Sequence, residues 1–523
     1  MQVQSPTGST LEEAHTFLAK YPEVQGIDVI MTDCHGIGRG KIIRRHELEA
    51  LFASGRPMPA SLFGQDVAGD DVDGTGLVLH DGGGDKRCWP VPGTLGLQPH
   101  LNRGQVLVSM YEPDGQPFCA DPRPVLERQI AAARQAGFQP MGAFELEFYL
   151  VDSQPDAQGR YLPARYALTG RRSLNRNTMS VDELDEMSPF FDMIYAGAEQ
   201  LGLPLESVIS EYAVGQYELT IRYRDLLRAA DDVIVAKRLI RSAARRFGME
   251  ACFMAKPFGQ EAGSGMHLHL SLANADGHNL YADQPSGQLS PLMLHSIGGI
   301  RHTIGDTMLV LAPFLNSWRR FASVVYSPAS DTWGVENRTV ALRVPNSSAS
   351  TRHFEHRVAG VDANPYLVAA VTLAGALHGI AQRSDPGPAA DQLERDGLAV
   401  HQAIDLAAGG QGLAVMEGDA LLKHECPGLA ILRRRPGLRQ FGHRRLMGKP
   451  TGTQEQHAFI QRFCPLPNRL AQQPGTFEAR QRHGHAGGLP ETDGQERPRQ
   501  SRHGAPGKMA ARQPRQRFLL GLH

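Results

Sequence analysis

The alternation of apolar and polar positions divides the chain into three unlike stretches. Residues 9–20 place apolar side chains at helical spacing behind Ser9, with Glu12 three positions on in capping-box register, which predicts a short surface helix. From Val24 to about Val108, short apolar runs such as VQGIDVIMTD, GTGLVLH and GQVLVSMYE alternate with Gly, Pro and Asp clusters. That is the pattern of small strands joined by turns, and it predicts a small β-rich N-terminal domain. From Pro122 onward the period changes. PVLERQIAAARQAG and YRDLLRAADDVIVAKRLIRSAARRFG read as helices, and between them lie strand-like, carboxylate-bearing segments, PMGAFELEFYL and EYAVGQYELTIRY. A larger α+β domain follows from that alternation, and 523 residues are too many for one compact core.

The last stretch follows neither pattern. Tyr366 is the final tyrosine and Trp333 the final tryptophan, so 157 residues follow Tyr366 with Phe as the one aromatic type. Residues 421–523 hold 19 Lys and Arg against 6 Asp and Glu, about +13, while the chain as a whole is at -1. ILRRRPGLRQFGHRR and ERPRQSRHGAPGKMAARQPRQR are poor in β-branched residues and rich in Arg, Gln, Gly, Pro and His. A disordered basic tail that binds polyanions and a folded but poorly patterned region are two readings. The third and favoured reading is translation of a GC-rich gene in a shifted frame, starting between about residues 385 and 420.

Composition narrows the function. Hydrophobic residues make up 41% and charged residues 21%, and with a net charge of -1 nothing in the whole chain points to nucleic acid or a membrane surface as partner. No run of about 18 apolar residues is evident, and MQVQSPTGSTLEEAHTFLAK has no basic segment leading into an apolar one, so a cytoplasmic protein is expected. Six cysteines without CxxC spacing read as ordinary thiols in a reducing compartment.

The chemistry begins with Glu145 and Glu147 in GAFELEFYL. Residues two apart on a strand share a face, so two carboxylates project together from an apolar strand and repel. A divalent cation relieves that repulsion, and Mg²⁺ or Mn²⁺ prefers carboxylate oxygen; a solvated strand face is the plainer alternative. Glu211 and Glu218 recur in SEYAVGQYELTI, and GSGMHLHLSL puts His267 and His269 on one strand face. Cationic partners follow: Arg319 and Arg320 in NSWRRF, Arg338 and Arg343 in WGVENRTVALRVP, and Arg352 and Arg357 around Glu355. Surface solubilisers are one reading of these arginines. Their alternation with β-formers instead suggests guanidinium groups aimed at phosphate or carboxylate. Carboxylate-held metals with convergent arginines form a phosphoryl-transfer inventory, and no GxxxxGK[ST] loop is present.

In order and spacing, ELE, EYAVGQYE, KPFGQEAGSGMHLHLSL, NSWRRF, ENRTVALRVP and FEHRVAGVDANPYLVAA resemble the signatures of the glutamine synthetase family. The resemblance implies an α+β fold with a β-grasp-like N-terminal domain at 1–118 and a catalytic domain with a curved antiparallel sheet backed by helices at 119–400, while composition sets apart an atypical basic region, disordered or frame-shifted, at 401–523. It implies ATP-dependent joining of the glutamate γ-carboxylate to an amine through γ-glutamyl phosphate. Carried over residue by residue, Glu147, Glu211 and Glu218 match the ligands of one Mg²⁺ or Mn²⁺, and Glu145, His267 and Glu355 those of a second. Gly263, Arg320 and Arg357 match glutamate-binding positions, and His269, Ser271, Arg338 and Arg343 match ATP-binding ones. Arg338 also matches a catalytic position, as does Asp66 in SLFGQD, resembling the acid that reaches a neighbouring subunit's site to help deprotonate the amine.

Departures from the family pattern bear on the amine. Ammonia-using members carry a flap of the type GYEAP, and here the aligned stretch is VVYSP, with Tyr326 at the glutamate position. Ala262 stands where an asparagine usually precedes GSGMH. NSWRRF, WGVENRTVALRVP and EHRVAGVDANPYL resemble the γ-glutamylpolyamine synthetase subgroup, which implies a polyamine such as putrescine as substrate. An ammonia-using glutamine synthetase, or a relative acting on another small amine, is the alternative; an inactive paralogue is one of a different class. The resemblance further implies a homo-oligomer, a dodecamer of two hexameric rings with active sites at subunit interfaces.

Overall fold

The computed structural model describes residues 5–79, 82–322, 326–328 and 330–390; the atypical region expected from 401 onward lies outside the described residues. The N-terminal part runs α1 (Leu11–Lys20), β1 (Gly26–Thr32), β2 (Gly38–Arg44), α2 (Leu48–Ser54), β3 (Arg56–Pro59), β4 (Asp85–Pro90), β5 (Gly96–Gln98) and β6 (Arg103–Tyr111). Its strands form one curled sheet in the order β2-β1-β6-β4-β3, with β5 also on β6. β1 and β6 pair in parallel and every other pair is antiparallel, a β-grasp-like arrangement. All seven residues of β1 are buried, as expected of a strand flanked on both sides. Phe17, Phe52, Phe63 and Val106 build the core beneath it.

The larger part runs α3 (Pro122–Gln135), β7 (Gln139–Asp152), α4 (Val181–Glu186), α5 (Ser188–Leu201), β8 (Leu205–Ser210), β9 (Gln216–Asp225), α6 (Leu226–Arg246), β10 (Met249–Cys252) and β11 (Met266–Ala273). It continues with α7 (Pro291–Leu311), α8 (Leu315–Arg319), β12 (Trp333–Val335), β13 (Leu342–Val344), β14 (Phe354–His356) and α9 (Pro365–Gln382). Eight strands make one sheet in the order β12-β13-β14-β11-β7-β9-β8, with β10 on the far end of β7. Strand period two decides its faces. Phe144, Leu146, Phe148 and Leu150 of β7 are fully buried in the core shared with the helices, which sends Glu145 and Glu147 to the opposite face.

Capping sets where the long helices start. The Asp225 carboxylate accepts from Leu227 N (3.1 Å) and Arg228 N (3.4 Å) at α6. Asn364 caps α9, accepting from Tyr366 N (2.9 Å) and Leu367 N (3.2 Å), while its Nδ2 donates to Asp33 O of the N-terminal turn at 2.8 Å. Asp28 of β1 pairs with Arg103 at 3.1 Å and with Arg238 of α6. α7 and α9 meet through glycines: a Cβ on Gly299 would sit 2.2 Å from Gly375 O, and one on Gly379 2.0 Å from His295 O.

Three local expectations change. α1 begins behind Thr10, with no side-chain cap, because Ser9 Oγ is engaged with Ser5 Oγ at 2.8 Å. EYAVGQYELTI is a hairpin rather than one strand: residues 211–215 turn between β8 and β9, Glu211 N donates to Gln216 O (2.8 Å), and Gly215 takes φ +72° where a Cβ would lie 3.1 Å from Leu150 O. α9 is long and apolar enough to cross a membrane, although the sequence shows no uniformly apolar run, because Ala, Gly and Thr alternate with larger residues. It lies 67% buried against α3, α6 and α7, as a core helix does.

Candidate active site

Cross-strand register brings the carboxylates together. Glu145 lies opposite His267, Glu147 opposite Glu218, and Glu355 faces His269 on one side and Arg343 on the other. His267 is the hub. Its Nδ1 lies 3.2 Å from Glu145 Oε2 and 3.2 Å from Glu355 Oε1, and its Nε2 lies 3.5 Å from Glu147 Oε1. Two groups thus have candidate ligand atoms within 4.8 Å of one another, Glu145 with His267 and Glu355, and Glu147 with Glu218 and His267. Glu211, at the start of the hairpin turn, falls outside both, although the charges of Glu147, Arg357 and Arg338 act on it.

The electrostatics split the acids into two sets. Burial alone would raise Glu355, yet the Arg357 guanidinium and then His267 and His269 hold it down at about 2. Glu355 Oε2 also accepts from Arg343 Nη1 at 3.1 Å. Burial likewise opposes Glu145, which His269 and His267 keep well below the usual range. Glu218 goes the other way: burial and the charges of Glu145, Glu147, Glu211 and Glu355 push it well up. Burial and Glu147 raise Glu211 to about 7. Such crowding of acids is what a bound cation relieves.

The donor set fits divalent ions. His267 Nε2 is buried and makes no hydrogen bond, so a ring-nitrogen position is unspent amid carboxylate oxygens. The Nε groups of Arg320, Arg343 and Arg357 are also buried without partners, unspent donors for an anionic ligand.

Around this hub the Gly-Ser-Gly loop closes. A Cβ on Gly263 would meet Arg320 Cγ at 2.6 Å, and one on Gly265 would meet His267 Nε2 at 2.8 Å. Arg320 is buried, and its Nη1 and Nη2 donate to Val358 O (2.9 Å) and Arg357 O (3.1 Å). Arg338 is exposed at the turn between β12 and β13. Ser271 is buried on β11 and has no hydrogen bond to the cluster among the described residues. Asp66 sits in the N-terminal part, where its Oδ1 accepts from Ala68 N (2.9 Å) and Asp70 N (3.0 Å); among the described residues nothing ties it to the cluster.

Residues that sequence reasoning passed over complete the site. Gly265 N donates to Glu147 Oε2 at 2.6 Å, and Gln216 Nε2 donates to Gly263 O at 3.0 Å. Gln216 lies two positions before Glu218, so the period that singled out Glu218 also marks it.

The family described as "Glutamine synthetase, catalytic domain" matches residues 119–407. The chain belongs to the glutamine synthetase family. Gamma-glutamylputrescine synthetase PuuA of Escherichia coli (strain K12) is 39% identical over 391 residues, 74% of this chain and 82% of the relative. Glutamate--isopropylamine ligase of Pseudomonas sp is 32% identical over 375 residues, 70% of this chain and 80% of the relative. A solved structure of a GmaS/ADP complex superposes with a TM-score of 0.63 at 25% identity, covering 77% of this chain and 86% of that one. As a member of the glutamine synthetase family, the protein is an ATP-dependent glutamate–amine ligase, of a family that works with divalent metals.

Proposed function

We propose that this ligase joins the glutamate γ-carboxylate to a polyamine of the putrescine class, a first step in polyamine catabolism. The observation that carries this reading is Tyr326, which stands where the resemblance to ammonia-using enzymes would put a flap carboxylate, and which is 60% exposed. Without that carboxylate there is no negative group at that position to hold ammonium, whereas a diamine brings its own distal cation. The 39% identity to the Escherichia coli enzyme supports the same substrate class.

In this reading Glu147, Glu211 and Glu218 hold one divalent ion, and Glu145, His267 and Glu355 the other. Mg²⁺ or Mn²⁺ there would neutralise the ATP phosphates and fix them for transfer. Arg338 and Arg343 offset charge on the transferred group, His269 and Ser271 flank the nucleotide, and Gly263, Arg320 and Arg357 bind glutamate. Asp66 would serve the site of a neighbouring subunit, in a cytoplasmic homo-oligomer whose dodecameric form follows from the resemblance. Residues 1–118 form its N-terminal domain and 119–400 its catalytic domain.

The test is ADP release by purified protein with glutamate and, in turn, putrescine, spermidine, ethanolamine, isopropylamine and ammonium. Turnover with putrescine or spermidine is expected, and turnover with ammonium alone overturns the assignment. Ammonia use is the second reading, favoured by 28% identity over 435 residues to the glutamine synthetase of Halobacterium salinarum.

A further inference from the structure

Arg338 is an exposed cation on a short turn, yet the segment that carries it, 330–340, is tied down from behind. Residues 384–390, SDPGPAA, leave the end of α9 and pass across α7 to reach it. His295 Nδ1 lies 3.1 Å from Ser384 O. One guanidinium braces both segments: Arg301 Nε donates to Asp331 O at 2.8 Å and its Nη1 donates to Pro386 O. Trp333 Nε1 donates to Gly387 O at 3.1 Å, and Ala390 N donates to Trp333 O at 2.8 Å. The approach is close enough that a Cβ on Gly334 would lie 2.7 Å from Ala390 O.

Asn337 joins this strap to the turn. Its Oδ1 accepts from Thr339 N (2.9 Å) and Thr339 Oγ1 (2.7 Å), which folds the backbone around Arg338. Its Nδ2 donates to Ala390 O at 2.9 Å. Both ends of one rigid amide are therefore spent, one shaping the turn and the other fixing it to a support.

We propose that Asn337 is the positioning residue for Arg338, with residues 384–390 as its fixed anchor. The inference rests on the assignment of Arg338 to phosphoryl transfer. A long arginine side chain stabilises developing charge only if its Cα is held, since a misplacement of about 1 Å can cost about 100-fold in rate. Loosening the anchor should therefore act on kcat and leave glutamate binding largely intact.

The test is a double-mutant cycle on the full chain, read by ADP release with glutamate and whichever amine of the panel supports turnover. Asn337→Ala and Trp333→Phe should each lower kcat about tenfold while the glutamate KM stays within about twofold. In an Arg338→Ala background the same changes should cost less than about twofold, because the residue they position is gone. If Asn337→Ala does not fold, Asn337→Asp keeps the acceptor that shapes the turn and removes the donor to Ala390, so it reads the anchor alone. A native kcat in these variants, or an undiminished tenfold loss in the Arg338→Ala background, overturns the proposal. Native turnover by Arg338→Ala itself overturns the phosphoryl-transfer assignment and the proposal with it, whereas a slow Arg338→Ala beside a native Asn337→Ala sinks the positioning role alone.

Discussion

Replacing Glu355 by glutamine should destabilise the metal-free protein by about 3 kcal/mol at neutral pH. The side chain is wholly buried, between Arg343 and Arg357 and beside His267. Burial opposes its ionisation, but Arg357, then His267 and His269, hold it down at about 2 against an ordinary 4.5. At about 1.4 kcal/mol per tenfold change in proton affinity, that difference is worth about 3 kcal/mol. It agrees with the about 3–5 kcal/mol lost when one member of a buried ion pair is removed and its partners are left uncompensated. The sign fixes the pH window. A carboxyl depressed by folding contributes stability above its unfolded value of 4.5, and that contribution fades as pH falls from there through about 2. Urea unfolding in EDTA, followed by tryptophan fluorescence, should show the full gap between wild type and Glu355→Gln at pH 7 and a narrowing gap below pH 4.5. A loss below about 1 kcal/mol, the scale of one neutral hydrogen bond, would refute the claim that this carboxylate neutralises the buried guanidinium groups.

Glu218 should behave in the opposite way. Burial and then four neighbouring carboxylates raise it, so its contribution is present at low pH and lost as pH rises; Glu218→Gln should match or exceed wild-type stability in EDTA at pH 8, yet gain less from added Mn²⁺ in the same unfolding assay. Gly299→Ala would set a methyl group 2.2 Å from Gly375 O, and since neither helix backbone can yield, circular dichroism melts should report a loss of about 3 kcal/mol. Cys252→Ala, at the end of β10, should keep turnover within about twofold, which the ADP-release assay checks.

The parts of the site legible in the sequence are those governed by strand period. Glu145 and Glu147, His267 and His269, and Arg343 within TVALRV were each marked by alternation, and the sheet puts them on one face. Alternation says nothing about which strands are neighbours, so the pairing of β7 with both β9 and β11, which makes His267 the hub, came only with the fold. The hairpin at 211–215 was hidden because Tyr212 and Val214 have strong strand propensity, and one glycine at positive φ decides the turn. The strap at 384–390 was invisible for another reason: most of its contacts use its own backbone carbonyls and amides, which carry no residue signature. Asp66 shows the reverse case, where a motif suggested a role and the single chain spends one of its oxygens on its own loop.

The latch between Asn364 and Asp33 sets an order of events during synthesis. The strands of the first sheet span Gly26–Tyr111 and find their partners among themselves, so that sheet can close early. Its fastening partner lies 331 positions later. At about 5–20 residues per second, the stretch from Tyr111 to Asn364 takes roughly 13–50 s to make, during which the closed sheet waits on the ribosome with its docking edge wet. Within that sheet Asp28 already pairs with Arg103, and the Asp33 carboxylate accepts from His35 N, Ile37 N and Arg39 Nε, so what Asn364 later meets is the Asp33 backbone carbonyl. With these charges met inside the first sheet, the waiting edge leaves a backbone carbonyl for water to hold until α9 is made.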